Sequence, residues 1–212
     1  MAAVTERGRR TQERILASAA ALIHERGVRA TSVDEVLAAS QTGKSQFYHY
    51  FAGKDELGRA VLAYQLERLL AEQRPLLERL DSFEGIEDWF AFILDLHRRR
   101  GFLGGCPIGS LAAEAADEDP KLREALAAAF DAWQSFLRAG LEAMRARGEL
   151  RPDADPDALA EATMAAIQGG ILLATTKKRE QPLASALAAA LVALRSYIAD
   201  MDPRTSPARA AP

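Results

Sequence analysis

The chain has 212 residues and a mass of 23.0 kDa, a size that suits one large domain or a small domain joined to a larger one. Its composition, 49% hydrophobic and 27% charged with a net charge of −3, excludes wholesale disorder, a collagen-like fibre and a disulfide scaffold. The single cysteine, Cys106, has no second cysteine in the chain, and the abundant alanine favours helix over strand. We therefore expect a mostly helical protein of a reducing compartment.

The charge is distributed unevenly along the chain. Residues 1–54 carry eight Lys or Arg against five Asp or Glu, whereas residues 55–212 carry nineteen against twenty-five. A basic module before an acidic one suggests that the N-terminal part faces a polyanion, although a solvated face is the simpler alternative. No uncharged run reaches the ~20 apolar residues of a membrane-spanning helix, and acidic residues interrupt the basic N-terminal region. A cytoplasmic protein is predicted.

Three short helices are predicted in the N-terminal segment. The first is amphipathic and ends at Gly27, and Ser32 with Glu35 forms a capping box that opens the second. Residues 40–43 have the composition of a turn, after which a third helix is predicted from about Lys44 to Phe51. Two short helices joined by a tight turn match the helix-turn-helix plan, in which the second helix enters the major groove of DNA.

The third helix carries side chains that suit both bases and phosphates. Lys44 and Gln46 can hydrogen-bond base edges, while Phe47 and Phe51, four residues apart, are expected to face inward. Tyrosine and lysine side chains can also reach phosphate oxygens. The predicted DNA-contacting residues are Ser32, Thr42, Lys44, Ser45, Gln46, Tyr48, His49, Tyr50 and Lys54. The alternative is an aromatic helix that only packs within a bundle.

Three runs in this segment carry a family resemblance: TSVDEV at residues 31–36, GKSQFYHYF at residues 43–51 and KDEL at residues 54–57. Together they resemble the DNA-binding domain of TetR-family transcriptional regulators over roughly residues 9–60. The resemblance implies an all-helical repressor, usually a homodimer, whose C-terminal domain binds a small effector. Two positions depart from the family pattern: Gln41 stands where a turn glycine is common, and Gly43 stands where a Ser or Thr cap is common.

The remainder of the chain is predicted to form a larger helical domain. Amphipathic patterns predict helices over residues 55–80, 86–100, 110–116, 119–148, 155–178 and 181–200. The last two are rich in small residues, so they either form an isologous dimer face or close the core of the monomer. The predicted division is a DNA-binding domain at residues 1–54, an effector-binding and dimerisation domain at residues 55–202, and a frayed tail at residues 203–212.

An effector site is predicted among the aromatic side chains of this second domain. If its helices enclose a cavity, those side chains favour a flat or greasy ligand, and polar residues of the helix after Asp155 can orient it. The predicted effector-binding residues are Trp89, Phe92, Ile93, Cys106, Phe130, Trp133, Phe136 and Gln168. For each of these residues, an ordinary place in the core is the alternative.

Cys106 lies within the run GCPIGSLAAE at residues 105–114, which resembles a pattern in TetR-like effector domains, some of which respond to electrophiles or oxidants. A thiol just before a helix N-terminus can have a lowered pKa, and the arginines at residues 98–100 add positive charge. The sequence therefore predicts either a reactive sensor thiol or a buried cysteine that acts as a small apolar side chain.

These observations predict a repressor that binds a palindromic DNA operator as a homodimer and is released by a small-molecule or electrophilic effector. The alternative is a helical enzyme or ligand carrier with a similar N-terminal module. That alternative is disfavoured because no metal-ligand cluster, nucleotide loop or catalytic triad is visible, and His24, His49 and His97 lie far apart in sequence. No cofactor and no metal are predicted.

Overall fold

The computed structural model describes residues 6–115, 117 and 119–199, and within those residues it contains nine helices. The prediction of an all-α fold is confirmed. The predicted tail at residues 203–212 lies outside the described residues. The helices are α1 (Glu6–Arg26), α2 (Val33–Ser40), α3 (Lys44–Tyr50), α4 (Lys54–Leu77), α5 (Phe83–Arg99), α6 (Pro107–Ala115), α7 (Pro120–Ala146), α8 (Pro156–Lys177) and α9 (Gln181–Arg195).

The first three helices form a small bundle whose boundaries follow local signals. Gly27 ends α1 with a φ of 89°, a backbone conformation that favours glycine. The predicted capping box at the start of α2 is present, with both the Ser32 and the Glu35 side chains engaged. Gln41 replaces the usual turn glycine at the end of α2 and adopts a left-handed conformation, φ 51° and ψ 45°. Gln41 thus adopts the backbone conformation that a glycine would provide, and the turn is kept despite the departure from the family pattern.

The longer helices α4 to α9 pack into one larger bundle. Ser82, Asp119 and Asp155 each cap a helix through a side-chain oxygen that accepts backbone N–H groups, and Pro occupies the first turn of α7 and α8. Helix α4 joins the two parts of the chain and packs against α1, α5, α6 and α7. Helices α8 and α9 pack closely, since a Cβ on Gly170 would lie 2.9 Å from that of Ala186.

The end of the last helix differs from its predicted position. Helix α9 ends at Arg195 instead of about residue 200, because the chain turns back and Ile198 pairs with Leu150 in an isolated antiparallel bridge.

Helix α8 is long and apolar enough, by length and composition, to cross a membrane. Within the protein, however, 44% of its apolar window is buried, and it packs against α7 and α9 as a core helix does.

Candidate DNA-binding surface and effector cavity

Helix α3 exposes a row of polar side chains above an apolar anchor. Lys44, Ser45, Gln46 and His49 are exposed, and Tyr48 is 58% exposed. On the opposite face Phe47 is fully buried, and its ring centroid lies 5.4 Å from that of the buried Phe51. The predicted inward pair of phenylalanines is therefore confirmed, and it orients the polar row towards solvent.

Contacts from the first two helices hold α3 in place. The Arg14 Nε donates to the Ser40 carbonyl oxygen at 2.8 Å, which ties α1 to the end of α2. The Thr42 backbone N–H donates to the Leu37 carbonyl oxygen at 3.0 Å and closes the turn before Gly43, the N-cap residue of α3. Because α3 has only seven residues, these contacts and the buried phenylalanines determine its orientation.

Several predicted DNA-contacting side chains already have protein partners. Lys44 pairs with Asp34 at 3.1 Å, but both side chains are mostly exposed, so a phosphate can compete for the ammonium group. Lys54 donates to the Arg29 carbonyl oxygen at 3.0 Å. The Ser32 hydroxyl belongs to the capping box. Tyr50 is half-buried against the core.

Thr42 departs from the prediction of a DNA contact. Its side chain is buried, and its Oγ1 donates to the Ser40 carbonyl oxygen at 3.2 Å. The hydroxyl is thus used within the turn, and the residue supports α3 from beneath instead of facing outward.

A cavity of about 270 Å³ lies between the small N-terminal bundle and the larger one, and we call it the central cavity. It is bounded by α1, α4, α5, α7, α8 and the segment that leads into α6. Its lining residues are Ala17, Ala20, Tyr64, Gln65, Arg68, Leu69, Glu72, Gln73, Ile93, Leu96, His97, Arg100, Gly105, Cys106, Pro107, Trp133 and Ile171. Because α1 contributes to this wall, a molecule in the cavity touches both parts of the protein.

The central cavity includes only part of the predicted effector set. Ile93, Cys106 and Trp133 line it. A second cavity of about 330 Å³, which we call the outer cavity, shares Gly105, Cys106 and Ile171 with the central cavity. It is also lined by Phe130 and Gln168. The remaining predicted residues, Trp89, Phe92 and Phe136, line neither cavity. Trp89 is fully buried, while Phe92 and Phe136 pack partly buried against the core.

Trp89 contributes to the wall indirectly. Its Nε1 donates to the Oε1 of Gln73 at 2.7 Å, and Gln73, a buried polar residue on α4, lines the central cavity. Thr163, a polar residue of α8, is likewise satisfied internally, because its hydroxyl donates to the Leu159 carbonyl oxygen at 2.8 Å.

Cys106 differs from the sequence-based expectation of a lowered pKa. The residue precedes α6, and its Sγ accepts the Gly109 backbone N–H at 3.4 Å, yet burial outweighs these effects and raises the pKa of the thiol. The buried position therefore favours the neutral thiol over the thiolate, the species that reacts with electrophiles.

Two histidines lie near this site in their neutral form. Burial, and secondarily the positive charge of Arg100, lowers the pKa of both His24 and His97. His97 lines the central cavity. His24 belongs to α1 and packs against the glycine segment before Cys106, where a Cβ on Gly104 would lie 2.2 Å from its Nε2.

A second link between the two parts of the protein is formed by α6. The Glu114 carboxylate accepts the backbone N–H of Val28 at 2.9 Å and that of Arg29 at 2.7 Å. These residues follow α1 directly. The segment from Gly104 to Glu114 thus connects the wall of the central cavity to the small bundle that carries α3.

Helices α8 and α9 present an apolar face to solvent. Leu172 is 66% exposed and Val192 is 69% exposed, and a Cβ on Gly169 would meet nothing within 4 Å. Ala165 also lies on the exposed side of α8, but Ala190 is buried within the monomer. The Ala190 side of α9 therefore packs inward.

Sequence reasoning missed most polar residues of the central cavity. Gln65, Leu69 and Gln73 follow one another at intervals of four on α4, and Ile93, His97 and Arg100 share one face of α5. Helical spacing from Ile93 was therefore a usable signal for His97 and Arg100. No sequence signal identified the contribution of α1, because the packing of α1 against the other helices is long-range.

Comparisons with known proteins agree with this architecture. A family model described as "Bacterial regulatory proteins, tetR family" matches residues 15–61, and one described as "Tetracyclin repressor-like, C-terminal domain" matches residues 78–190. The transcriptional regulator AcuR of Cereibacter sphaeroides is 35% identical over 164 residues, which cover 76% of this chain and 74% of AcuR. The transcriptional repressor NemR of Escherichia coli is 29% identical over 183 residues, covering 84% and 90% respectively.

A solved structure extends the likeness to the whole fold. The regulatory protein TetR from Rhodobacter sphaeroides superposes with a TM-score of 0.74 at 27% sequence identity, covering 89% of this chain and 99% of that one.

Proposed function

The chain belongs to the TetR family of bacterial regulatory proteins, and on this premise we propose that it is a homodimeric repressor that leaves its operator when a small molecule binds in the central cavity. That the protein is a DNA-binding transcriptional regulator follows from the family and from its regulator relatives. The dimer, the palindromic operator and the control by a ligand are the proposed parts. Such a regulator acts on chromosomal DNA, and we accordingly expect it in the cytoplasm.

The observation that carries ligand control is the composition of the central cavity wall. Ala17 and Ala20 come from α1, while Ile93 and Trp133 come from the larger bundle. A ligand can shift a conformational equilibrium only through different contacts in the two states, and a cavity shared by both bundles meets that requirement. Helix α4 and the segment from Gly104 to Glu114 connect this cavity to the helices that hold α3.

The exposed apolar face of α8 and α9 supports the dimer. Leu172 on α8 and Val192 on α9 are large, exposed apolar side chains, and the surface at Gly169 on α8 is open. These features suit association with an identical copy. Two copies related by a two-fold axis present two α3 helices, and successive major grooves on one side of DNA lie about 34 Å apart. A roughly palindromic operator follows from that symmetry.

For the effector we favour noncovalent binding over modification of Cys106. The thiol is buried, and burial raises its pKa, so neutral thiol predominates at neutral pH. The central cavity, in contrast, has a wall made largely of apolar side chains with a few polar groups, the usual make-up of a small-molecule site.

The test starts with DNA fragments selected by the full-length protein from a random duplex library. We expect tight, salt-sensitive binding to a sequence with two-fold symmetry, measured by fluorescence anisotropy. Compounds that raise the melting temperature of the protein are then added to the complex, and we expect at least one of them to release the DNA.

A matched variant, Ile93→Trp, fills the central cavity and should retain operator binding while losing the response to such compounds. Failure to select any DNA would contradict the repressor function. Selection of DNA whose binding no stabilising compound alters would contradict ligand control alone.

The alternative of a helical enzyme or carrier gains no support from the comparisons, since the relatives described above are transcriptional regulators. Among the residues that the structure describes, no group of three His, Cys, Asp or Glu side chains is arranged to hold a metal ion.

A further inference from the structure

The two tryptophans of the protein differ in whether their indole N–H groups are satisfied. Trp89 is fully buried, and its Nε1 donates to Gln73. Trp133 is only 3% exposed and lines the central cavity, yet its Nε1–H has no acceptor among the described residues. An indole nitrogen can only donate, and an unsatisfied buried donor costs free energy. The site therefore offers a hydrogen bond to an acceptor that the protein does not supply.

The three consecutive arginines at the end of α5 are all exposed, but they differ in whether they form an ion pair. Arg98 pairs with Glu180 at 2.8 Å, and Arg99 pairs with Asp95 at 3.0 Å. Arg100, the one that lines the central cavity, makes no ion pair and no side-chain hydrogen bond with the part of the chain that is described. The positive charge of Arg100 acts on the cavity wall, because it adds to the effect of burial in lowering the pKa of His97.

Other charges near the cavity do not cancel that of Arg100. Glu72 and Arg68 both lie in the wall on α4, and the pKa of Arg68 is raised mainly by its hydrogen bond to the Tyr64 hydroxyl and less by the charge of Glu72. The opposite charges of these two residues add no net charge to the wall. The N-terminal end of α6, at Cys106 and Pro107, adds the positive end of a helix dipole to the same wall.

The apolar part of the wall and the volume of the cavity limit the polarity and the size of the ligand. Ala17, Ala20, Leu69, Leu96 and Ile171 contribute apolar surface. An engineered apolar cavity of about 150 Å³ binds benzene, so a cavity of about 270 Å³ has room for one substituted ring or an alkyl chain of similar bulk.

From the Trp133 N–H and the Arg100 guanidinium, neither of which has a partner among the described residues, we infer that the effector is a small apolar monocarboxylate. Its carboxylate accepts a hydrogen bond from Trp133 and pairs with Arg100, while its apolar body fills the rest of the central cavity. Gln65 also lines this cavity, and its buried Oε1 has no partner in the part of the chain that the structure describes. After a half-turn of the amide, its nitrogen can donate to the same carboxylate. This inference rests on the proposed effector control and specifies the chemical class of the ligand.

Binding is tested on the full-length protein without DNA, using calorimetry and the quenching of tryptophan fluorescence. The probes are a panel of alkyl and aryl monocarboxylates that includes benzoate, with benzyl alcohol as a neutral counterpart and benzylamine as a cationic one. We expect at least one carboxylate to bind about tenfold or more tightly than its neutral and cationic counterparts, as the extra strength of charged hydrogen bonds implies.

The variants Arg100→Gln and Trp133→Phe should each weaken carboxylate binding about tenfold or more while keeping the far-ultraviolet spectrum and the operator affinity of the native protein. Arg99→Gln is the matched control, because Arg99 does not line the cavity and should leave binding unchanged. A preference for the neutral or cationic probes, unchanged binding by Arg100→Gln, or no binding by any carboxylate of the panel would overturn the inference. A carboxylate that binds as expected but leaves the operator complex intact would contradict effector control and not the ligand class.

Discussion

The carboxylate of Glu114 occupies the space that a side chain on Gly27 would require. A Cβ on Gly27 would lie 2.5 Å from the Glu114 Oε2, and the φ of Gly27 is 89°. The same carboxylate accepts hydrogen bonds from the backbone N–H groups of Val28 and Arg29, the two residues that follow Gly27. Glu114 of α6 therefore occupies the position beside the end of α1 that a side chain at residue 27 would otherwise fill. The glycine is thus needed both for its backbone conformation and for the approach of Glu114.

Removal of the Glu114 carboxylate should loosen the small bundle from the larger one. Glu114→Ala leaves two backbone N–H groups without their acceptor, at a cost of about 1–3 kcal/mol in the free energy of unfolding. Because this link connects the cavity segment to α1, we also expect a weaker response of operator binding to the effector. Chemical denaturation and anisotropy with and without effector measure the two effects. Glu114→Gln, which keeps one acceptor oxygen, should lie between the native protein and Glu114→Ala, and equal behaviour of all three would refute the link.

Substitutions on α3 should separate general from base-specific contacts with DNA. Tyr48→Ala should weaken binding to every sequence if, as we propose, its exposed phenol contacts the backbone of DNA. Gln46→Ala should change the preferred base at one position of each half-site, with a loss of about 1–3 kcal/mol at the original base pair. A selection from random duplexes, repeated with each variant, makes the comparison. Glu142→Ala, an exposed residue near the C-terminal end of α7 where Gly140 packs against Leu80, is the control. An unaltered sequence preference in Gln46→Ala would count against base recognition by this residue.

Lys44 offers a test of competition between protein and DNA. Its ammonium group pairs with Asp34, but the pair is exposed and contributes little to stability. If Lys44 transfers to a phosphate on binding, Lys44→Ala should reduce the slope of log affinity against log salt by about one, whereas Asp34→Asn should keep that slope and strengthen binding slightly. If it instead contacts a base, Lys44→Ala should change the selected sequence while the salt slope stays unchanged.

A charge on the apolar face of α8 and α9 should disrupt the dimer. Leu172→Glu and Val192→Glu each place a carboxylate where association would bury it, and we expect the dimer to dissociate at least about tenfold more readily. Sedimentation at micromolar concentration distinguishes a particle of twice 23.0 kDa from a monomer. Leu103→Glu is the control, because Leu103 is similarly exposed, 60%, but lies on the segment between α5 and α6. A native protein that is monomeric and still binds its operator would contradict the assembly.

Cys106 should react slowly in the folded protein. Burial raises the pKa of the thiol, so little thiolate is present at pH 7, and alkylation by a mild electrophile should be at least about tenfold slower than in the denatured chain. Cys106→Ser should still release DNA in response to a noncovalent ligand. If the electrophile instead releases the native protein rapidly from its operator but leaves the Cys106→Ser variant bound to it, the Cys106 thiol is the sensor.

Protonation of the half-buried His24 and the buried His97 should destabilise the fold at low pH. The pKa values of His24 and His97 are lowered in the folded state, so below their unfolded pKa of about 6.5 the unfolded chain binds more protons. The stability contributed by the neutral histidines is therefore complete above pH 6.5 and declines as the pH falls below it. Melting temperatures measured between pH 7.5 and 5.5 should fall less steeply for His97→Gln than for the native protein. Parallel curves for the two proteins would show that His97 titrates as freely in the folded state as in the unfolded chain.

Much of the helical plan is determined by local sequence. The capping box at Ser32, the stop at Gly27 and the Asp-Pro pairs before α7 and α8 act over a few residues, because caps and turns satisfy backbone groups close by in the chain. The same locality makes the exposed row of α3 predictable, since Phe47 and Phe51 anchor one face and leave the other to solvent. The family resemblance depends on these short runs.

The tertiary structure alone decided which side chains meet in the cavities and in what chemical state. Val28 and Glu114 are 86 residues apart in the chain, and nothing in either local sequence indicates their hydrogen bond. The pKa of Cys106 illustrates the same limit, because a helix N-terminus and nearby arginines predict a lowered value, whereas burial by distant helices raises it. Trp89 and Trp133 look alike as apolar positions on helices, yet within the described residues only Trp89 finds an acceptor for its indole N–H. Burial and hydrogen-bond partners are properties of the packed chain, so they emerge only when helices that are distant in sequence are brought together.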